Sequence, residues 1–373
     1  MSKAASPMVV VCAGGGGVGK TTTSAALALA LARKGRSTLI VTIDPARRLA
    51  GAMGVAITDE VTRVPLPAAR GNLAALMPDP RRSLHTFAEQ LFEDEPAAKA
   101  RLLGNRLYLG LADAAAGVHE LVAMNLVARA AAQGSFEVVV IDTAPSRHAI
   151  DFVTYPSRLA ALLGGRTVTW LAGLAQRAAL DGPSGKAPSS LLSWGTGHVE
   201  HLLARVTGPN LVSDTGALFG DLAVVRERFV DLTQHAADLL LGPRAAYALV
   251  TAPTAAGRDD VLYLAKRLEK LGRSARAVVI NRADTQPAPY ARALTGQRGL
   301  SPAIALALTM LDEERASRAG AADACAIELG KRLRGVPLVR LPYIEAIAPE
   351  AVVAALADEL SPQLATLLPT VSR

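Results

Sequence analysis

A glycine-rich octet near the start of the chain carries the strongest chemical signal in the sequence. Residues 14–21 read Gly-Gly-Gly-Gly-Val-Gly-Lys-Thr and fit the pattern G-x-x-x-x-G-K-[ST]. Glycines let the backbone turn its N–H groups toward a polyphosphate, the lysine neutralises phosphate oxygens, and the threonine hydroxyl is a ligand for Mg²⁺. Because the octet lies between a strand pattern and a helix pattern, it predicts a phosphate-binding loop rather than a plain turn. The candidate contacts are Gly14, Gly15, Gly16, Gly17, Val18, Gly19, Lys20, Thr21 and Thr22, with Lys20 also a candidate catalytic residue.

Two aspartates follow apolar runs that read as buried parallel strands. Asp44 comes after the run 37–43, and Asp142 comes after the run 136–141. In an open α/β sheet the carboxyl ends of the strands form the ligand edge, so both carboxylates are expected beside the glycine loop. Asp142 is the candidate Mg²⁺ ligand and Asp44 the candidate that orients an attacking water, with Thr21 and Asp44 as further metal ligands. Each aspartate alone reads equally well as a turn or helix N-cap residue.

The elements that must position these residues form an α/β pattern interrupted by helical segments. A strand at residues 8–13 precedes the loop, and strands and helices alternate again from residue 244. The sequence predicts a mostly parallel P-loop sheet flanked by helices, with a helical insertion, in one ATPase domain over residues 1–373. The expected α/β core comprises 1–80, 134–150 and 244–373, and the expected helical layer comprises 81–133 and 151–243.

Composition limits the class of protein. Lysine and arginine total 40 against 33 acidic residues, but the arginines are scattered through an Ala- and Gly-rich chain, so a nucleic-acid surface is not expected. A dense run from Lys266 to Arg276 reads as a solvated helix face and strand entry. No signal peptide or transmembrane run is recognisable, and the chain has two cysteines, which favours a reducing cytoplasm.

The order of these motifs resembles the ArsA-type anion-transporting ATPases. The resemblance rests on the glycine loop, on Thr42-Ile43-Asp44-Pro45-Ala46, and on Asp142-Thr143-Ala144-Pro145 followed by His148. Val278-Val279-Ile280-Asn281 and Val339-Arg340-Leu341-Pro342 resemble later strands of the same family. That family also contains the ATPase that targets tail-anchored membrane proteins, and it is related to the MinD and ParA ATPases.

The resemblance implies an ATP- and Mg²⁺-dependent hydrolase that works as a dimer. Two nucleotides would face each other across the interface, and Asp44 would polarise the attacking water. Asn281 would pair with the adenine edge, and Pro342 would belong to the loop that closes over the base. The partner would be a second copy of the chain or a related ATPase.

Several positions depart from the family pattern. Gly15 stands where the family has a lysine that reaches the partner's phosphates, which predicts slow hydrolysis or a partner that supplies the lysine. Cys12 and Cys325 match no zinc pair, iron–sulfur ligands or arsenite site, so none of these groups is expected. Ser146-Arg147 stands where better-known members have Thr-Gly.

The sequence is compatible with more than one biological function for such an ATPase. The apolar residues Leu159, Leu163, Trp170 and Leu174 fit either a groove for a hydrophobic or membrane-protein client or simple cover for the sheet. One rival hypothesis is a weakly hydrolysing ATP-binding subunit of a heteromeric complex, and another is a positioning ATPase of the MinD or ParA type.

Overall fold

The described strands form one eight-stranded sheet in the order β3-β4-β2-β5-β1-β6-β7-β8. All neighbouring strands are parallel except β3 and β4, which are antiparallel at one edge. The sequence predictions did not include β3, a strand of three residues. The strands are β1 (Met8–Gly14), β2 (Thr38–Thr42), β3 (Thr62–Val64), β4 (Leu73–Leu76), β5 (Val138–Asp142), β6 (Ala245–Thr251), β7 (Ala277–Ile280) and β8 (Leu338–Arg340).

Helices connect and cover these strands, which confirms the predicted α/β fold. The computed structural model describes residues 6–44, 48–66, 71–106, 108–110, 124–130, 135–144, 150, 211–284 and 301–369. The described helices are α1 (Lys20–Arg33), α2 (Arg48–Met53), α3 (Pro80–Leu91), α4 (Pro96–Gly104), α5 (Leu211–Val224), α6 (Arg226–Leu241), α7 (Ala255–Lys270), α8 (Pro302–Arg332), α9 (Pro349–Leu360) and α10 (Leu364–Leu367), with a 3₁₀ turn at Ser361–Gln363.

The chain divides into two compact units. The first contains residues 1–77, 130–150 and 239–373, and the second contains residues 78–129 and 151–238. The sheet lies in the first unit. Its five-residue and seven-residue strands β1, β2, β5 and β6 are buried along their whole length, because both faces of a parallel sheet are covered.

Helix α1 is the central covering element of the first unit. Its Ala- and Leu-rich sequence buries Leu27 and Leu31, each 1% exposed, within a core that also includes alternate residues of the central strands. Helix α9 packs against α1, and α2 packs against both. Small alanine side chains let these helices approach closely, so the helix that begins at Lys20 is held firmly on the sheet.

The helical C-terminal segment is interrupted. Helix α9 ends at Leu360, and Pro362 lies in the 3₁₀ turn that follows. Proline lacks an N–H donor, which accounts for the interruption.

The basic run is a solvated helix face at Lys266 and Lys270, which are exposed on α7. At the entry to β7, however, Arg276 Nε donates to Leu368 O at 2.9 Å and Arg273 Nη2 donates to Ala245 O at 2.7 Å. These two side chains are half-buried and bond the carbonyls of other segments.

The second unit is helical where it is described. Helices α3, α4 and α5 and most of α6 belong to it, and residues 124–130 are also helical. Phe87 and Phe229 make an edge-to-face contact with ring centroids 5.9 Å apart in its apolar core. The Asp221 side chain is 6% exposed and accepts from Arg101 Nε at 3.0 Å, so a buried carboxylate is paired.

Some sequence predictions fall outside the described residues. They include Pro45, Ala46 and Arg47, the segment 145–149 and the four residues of the client groove. In the described part of the chain, no helix combines the length and apolar character that crossing a bilayer requires.

The burial of α1 predicts a large cost for trimming its core face. Leu31→Ala should lower the free energy of unfolding by about 2–5 kcal/mol, because it removes buried methyl groups and leaves a cavity. The matched control is Leu306→Ala on α8, where the side chain is 62% exposed and the change should stay within about 0.5 kcal/mol. Urea denaturation of both variants measures the difference, and equal costs would contradict this account of the core.

Candidate functional site

The predicted site residues meet at the carboxyl edge of the three central strands. Parallel pairing puts Asp142 of β5 opposite Cys12 of β1 on one side and opposite Thr42 of β2 on the other. The glycine loop leaves β1 two residues beyond Cys12, and Asp44 follows β2 by two residues. The strand register therefore gathers the loop and both aspartates in one region of the first unit, as predicted from the strand ends.

The loop leads directly into α1 and leaves the start of that helix without a side-chain cap. Gly19 occupies the N-cap position with φ of 87°, and no side chain bonds the first-turn N–H groups. Since an added Cβ on Gly19 would lie 2.2 Å from Asn281 Nδ2, only glycine fits there. Uncapped N–H groups at a helix start attract anions, so this end of α1 suits a phosphate.

Lys20 lies inside the loop that it follows. Its Nζ donates to Gly15 O at 2.9 Å, and the residue is 5% exposed. Burial lowers the pKa of Lys20, while the charges of Asp142 and Asp44 oppose that shift. The ammonium is thus held near two carboxylates and is bonded to a neutral carbonyl, a contact that a phosphate oxygen can replace.

Asp142 is the most deeply buried charged group of the site, with 0% exposure. Its carboxylate accepts from Thr42 Oγ1 at 3.0 Å and from Ser24 Oγ at 3.5 Å, and it also has a hydrogen bond from Thr21. Burial raises the pKa of Asp142 to about 6, although the hydroxyl donors and Lys20 act in the opposite direction. The two predicted Mg²⁺ ligands Thr21 and Asp142 therefore lie in contact.

Sequence reasoning missed Ser24 and Thr42. Ser24 follows Lys20 by one helical turn, and Thr42 ends β2 beside the end of β5. Both residues carry a hydroxyl that can donate to a carboxylate. The sequence does not show that these hydroxyls reach Asp142, because that depends on the packing of α1 and on the register of β2 against β5.

Asp44 has a partner that the sequence analysis did not identify. Its side chain is 7% exposed, and Oδ2 accepts from Arg48 Nη1 at 3.2 Å. The Arg48 side chain is 59% exposed, so the guanidinium lies at the solvent side of a buried carboxylate.

Asn281 joins the loop to the end of β7. Its Nδ2 donates to Val18 O at 2.9 Å, and the residue is 5% exposed. An asparagine amide has two N–H donors and a carbonyl oxygen, so this bond orients the amide and leaves donor and acceptor capacity. Arg282 follows with φ of 57°, an uncommon conformation for a residue with a side chain.

A cluster beyond Asn281 ties two loops together. Asp284 Oδ1 accepts from Tyr343 N at 2.8 Å, and Asp284 Oδ2 accepts from Arg318 Nε at 3.2 Å. The Arg318 guanidinium also lies over the Tyr343 ring, 5.2 Å from its centroid. The loop after β7 and the loop that contains half-buried Pro342 are therefore held side by side.

The first part of the glycine loop lies against an acidic side chain. A Cβ added to Gly15 would lie 2.2 Å from Asp260 Oδ2. Position 15 therefore has no room for a side chain unless the carboxylate of Asp260 moves.

The two cysteines are buried and form no disulfide. Burial raises the pKa of the Cys12 thiol to about 12, so Cys12 stays protonated within β1 and packs as a small apolar residue. The expected absence of zinc, iron–sulfur and arsenite chemistry stays a prediction.

Comparison with known proteins supports the predicted resemblance. Residues 8–178 match the family described as anion-transporting ATPases. A protein named ATPase get3 from Schizosaccharomyces japonicus is 31% identical over 182 residues, which cover 49% of this chain and 51% of the relative. The protein of the same name from Schizosaccharomyces pombe is 32% identical over 138 residues, or 37% of this chain and 40% of the relative.

A third relative has a slightly higher identity over a shorter part of the chain. ATPase GET3 from Mycosarcoma maydis is 34% identical over 133 residues, which cover 36% of this chain and 37% of the relative. The chain thus spans about half the length, or less, of these curated relatives. The matched family region includes the glycine loop, Asp44 and Asp142, whereas Asn281 and Pro342 lie beyond it.

The buried carboxyl of Asp142 predicts an inverted pH dependence. Its pKa of about 6 lies above the value of about 4 in an unfolded chain, so the folded protein binds the proton more tightly. Stability is therefore lost as pH rises through this window. Asp142→Asn should raise the free energy of unfolding of the nucleotide- and metal-free protein at pH 8 by roughly 2–3 kcal/mol.

Urea denaturation in EDTA at pH 8 and at pH 4 measures this effect, which should shrink at the lower pH. The control is Glu137→Gln, because the Ser37 N–H and Arg36 hold the pKa of Glu137 low. Removing that charge should instead destabilise the protein at pH 8. A destabilised Asp142→Asn variant at pH 8 would contradict the assigned burial penalty.

Proposed function

We propose that the protein hydrolyses ATP with Mg²⁺ at the loop of residues 14–21, on the basis of the match of residues 8–178 to the anion-transporting ATPase family and the similarity to ATPases named get3. The observation that carries this proposal is the meeting of Lys20, Asp44 and Asp142 beside that loop at one edge of the sheet. A role as helix cap does not account for two buried carboxylates and a buried lysine, since the start of α1 has no side-chain cap.

ATP phosphates fit the cationic end of this site. Backbone N–H groups of the loop and of the first turn of α1 would donate to phosphate oxygens. Lys20 Nζ would exchange its hydrogen bond to the Gly15 carbonyl for bonds to the β- and γ-phosphate oxygens. These bonds are stronger because the acceptor is then charged.

Mg²⁺ fits the oxygen donors gathered around Asp142. The hydroxyl of Thr21 and the carboxylates of Asp142 and Asp44 are hard ligands of the kind that Mg²⁺ prefers. When bound, the ion would neutralise the charge that develops on the transferred phosphoryl group. It would also relieve the cost of burying an ionised Asp142, since a cation favours the charged form of the carboxyl.

Asp44 is the proposed group that holds the attacking water. Phosphoryl transfer needs little covalent chemistry from the protein, so positioning and charge supply most of the catalysis. The adenine of ATP would lie beside Asn281, whose second amide N–H and Oδ1 match the acceptor and the donor on the adenine edge. Pro342 lies in the adjoining loop.

Two substitutions separate binding from chemistry. Lys20→Met should abolish measurable ATP binding and hydrolysis, because the phosphates lose their buried cation. Asp44→Asn should lower kcat by about 10²-fold or more, whereas the affinity for ATP measured in EDTA should change little, because the substitution removes water positioning and a metal contact but no phosphate contact. Steady-state phosphate release and calorimetric ATP titration measure the two effects. Asp358→Asn, at a surface carboxylate paired with Arg33, is the matched control.

We also propose that ATP switches a dimer between open and closed states and that the switch serves a hydrophobic or membrane-protein client. The support is the family resemblance together with the similarity to ATPases named get3. Light scattering should give about twice the chain mass of 38.7 kDa with Mg²⁺ and a non-hydrolysable ATP analogue. A monomer under all nucleotide conditions, with no co-purifying chain, would contradict the dimer.

The second candidate function is a weakly hydrolysing ATP-binding subunit of a heteromeric complex. The observation that favours it is Gly15, which carries no charge and lies against the carboxylate of Asp260. Equal phosphate-release rates for the unsubstituted protein and Asp44→Asn, together with intact ATP binding, would favour this candidate over the ATPase.

A further inference from the structure

Arg48 connects the buried Asp44 to the solvent-exposed side of the site. It begins α2, four residues after Asp44, and the contact between Nη1 and Oδ2 is 3.2 Å. The two side chains of this pair differ sharply in exposure, since that of Asp44 is 7% exposed and that of Arg48 is 59% exposed. An exposed arginine that makes one contact with a carboxylate has little holding it in place.

The charge of Arg48 acts on the phosphate-binding lysine. The ammonium of Lys20 experiences the negative charges of Asp142 and Asp44 and the positive charge of Arg48. The guanidinium is therefore within electrostatic reach of the point where Lys20 meets phosphates. No other arginine or lysine acts on Lys20 among the described residues.

At Gly15 the neighbouring group is the carboxylate of Asp260, and an added side chain would collide with it unless that carboxylate moves. Among the described residues, the charged side chains that act on Lys20 include the carboxylates of Asp142 and Asp44 and the guanidinium of Arg48. A triphosphate adds further negative charge, which favours recruitment of the second cation.

We propose that Arg48 is a catalytic residue that exchanges Asp44 for the γ-phosphate when ATP binds. This inference rests on the proposed function. A guanidinium matches a phosphate with two parallel N–H···O bonds, whereas its contact with Asp44 is a single one. The exchange removes Arg48 from Asp44 Oδ2, where the attacking water can then donate a hydrogen bond, so the water is positioned when a γ-phosphate is present.

The exchange also makes the site distinguish ATP from ADP. With ADP the γ-phosphate is missing, and Arg48 stays on Asp44. Loss of the Arg48 guanidinium should therefore weaken binding of the triphosphate and leave binding of the diphosphate unchanged. A merely structural arginine would affect both nucleotides alike.

The test is calorimetric titration of the full chain with the non-hydrolysable analogue AMP-PNP and with ADP, each with Mg²⁺. Arg48→Gln should weaken AMP-PNP binding at least about tenfold and change the ADP Kd less than about twofold. The kcat for ATP should fall about 10²-fold, the scale for removal of one charge-stabilising donor. Arg48→Lys should restore part of both losses because it keeps the charge but not the bidentate geometry.

The matched control is Arg36→Gln. Arg36 is also an exposed arginine, 47% by its side chain, and pairs with Glu137 at 2.9 Å. It should leave both nucleotide affinities and kcat unchanged. The unchanged ADP affinity of Arg48→Gln itself demonstrates that the variant is folded.

The possible outcomes separate the two proposals. If the unsubstituted protein binds neither nucleotide, the proposed function fails and this inference fails with it. If the unsubstituted protein binds and hydrolyses ATP, the role of Arg48 is overturned by either of two results. Arg48→Gln could match the unsubstituted protein, or it could lose affinity for both nucleotides equally, and in both cases the proposed function still holds. A selective loss of AMP-PNP affinity together with the fall in kcat supports the role of Arg48.

Discussion

The parallel register of β2, β5 and β1 is the constraint on which the rest of the structure depends. Because Thr42, Asp142 and Cys12 are opposite one another, β2 and β5 end at the same level and β1 ends two residues beyond it. The glycine loop and the segment that contains Asp44 leave the sheet near that level. A shift of one residue would turn Asp142 to the other face of the sheet and away from the hydroxyls that bond it. Strand pairing thus determines the chemistry of the site.

Buried charge is the second organising feature. Asp142 and Lys20 are 0% and 5% exposed, and Asp44 is also buried. Three hydroxyl groups, from Thr21, Thr42 and Ser24, bond the Asp142 carboxylate but do not remove the cost of its burial, as its raised pKa indicates. A cation and a polyphosphate would satisfy these groups better than the protein does by itself. The proposed affinity for ATP and Mg²⁺ and the predicted cost of burying Asp142 in the free protein have the same physical origin.

Sequence patterns predicted some elements of the fold and missed others. Continuous apolar runs identified β1, β2 and β5, because strands buried on both faces carry no polar alternation. The edge strand β3 has only three residues and no such run, and it forms because β4 offers an open edge. Arg273 and Arg276 looked like surface charge, yet both bond carbonyls of segments distant in the chain.

The sequence by itself determined the glycine-rich loop, most of the order of strands and helices, the two aspartates at strand ends and the resemblance to the anion-transporting ATPases. These features depend on contiguous residues, so a linear pattern is sufficient to recognise them. Only the tertiary structure decided that Ser24 and Thr42 bond Asp142, that Arg48 holds Asp44, and that Asp260 lies against Gly15. Most of these contacts join residues far apart in the chain, and even the Asp44–Arg48 pair takes its meaning from the buried position of Asp44. Their physical basis is strand register, crossover direction and burial, which no local pattern of residues records.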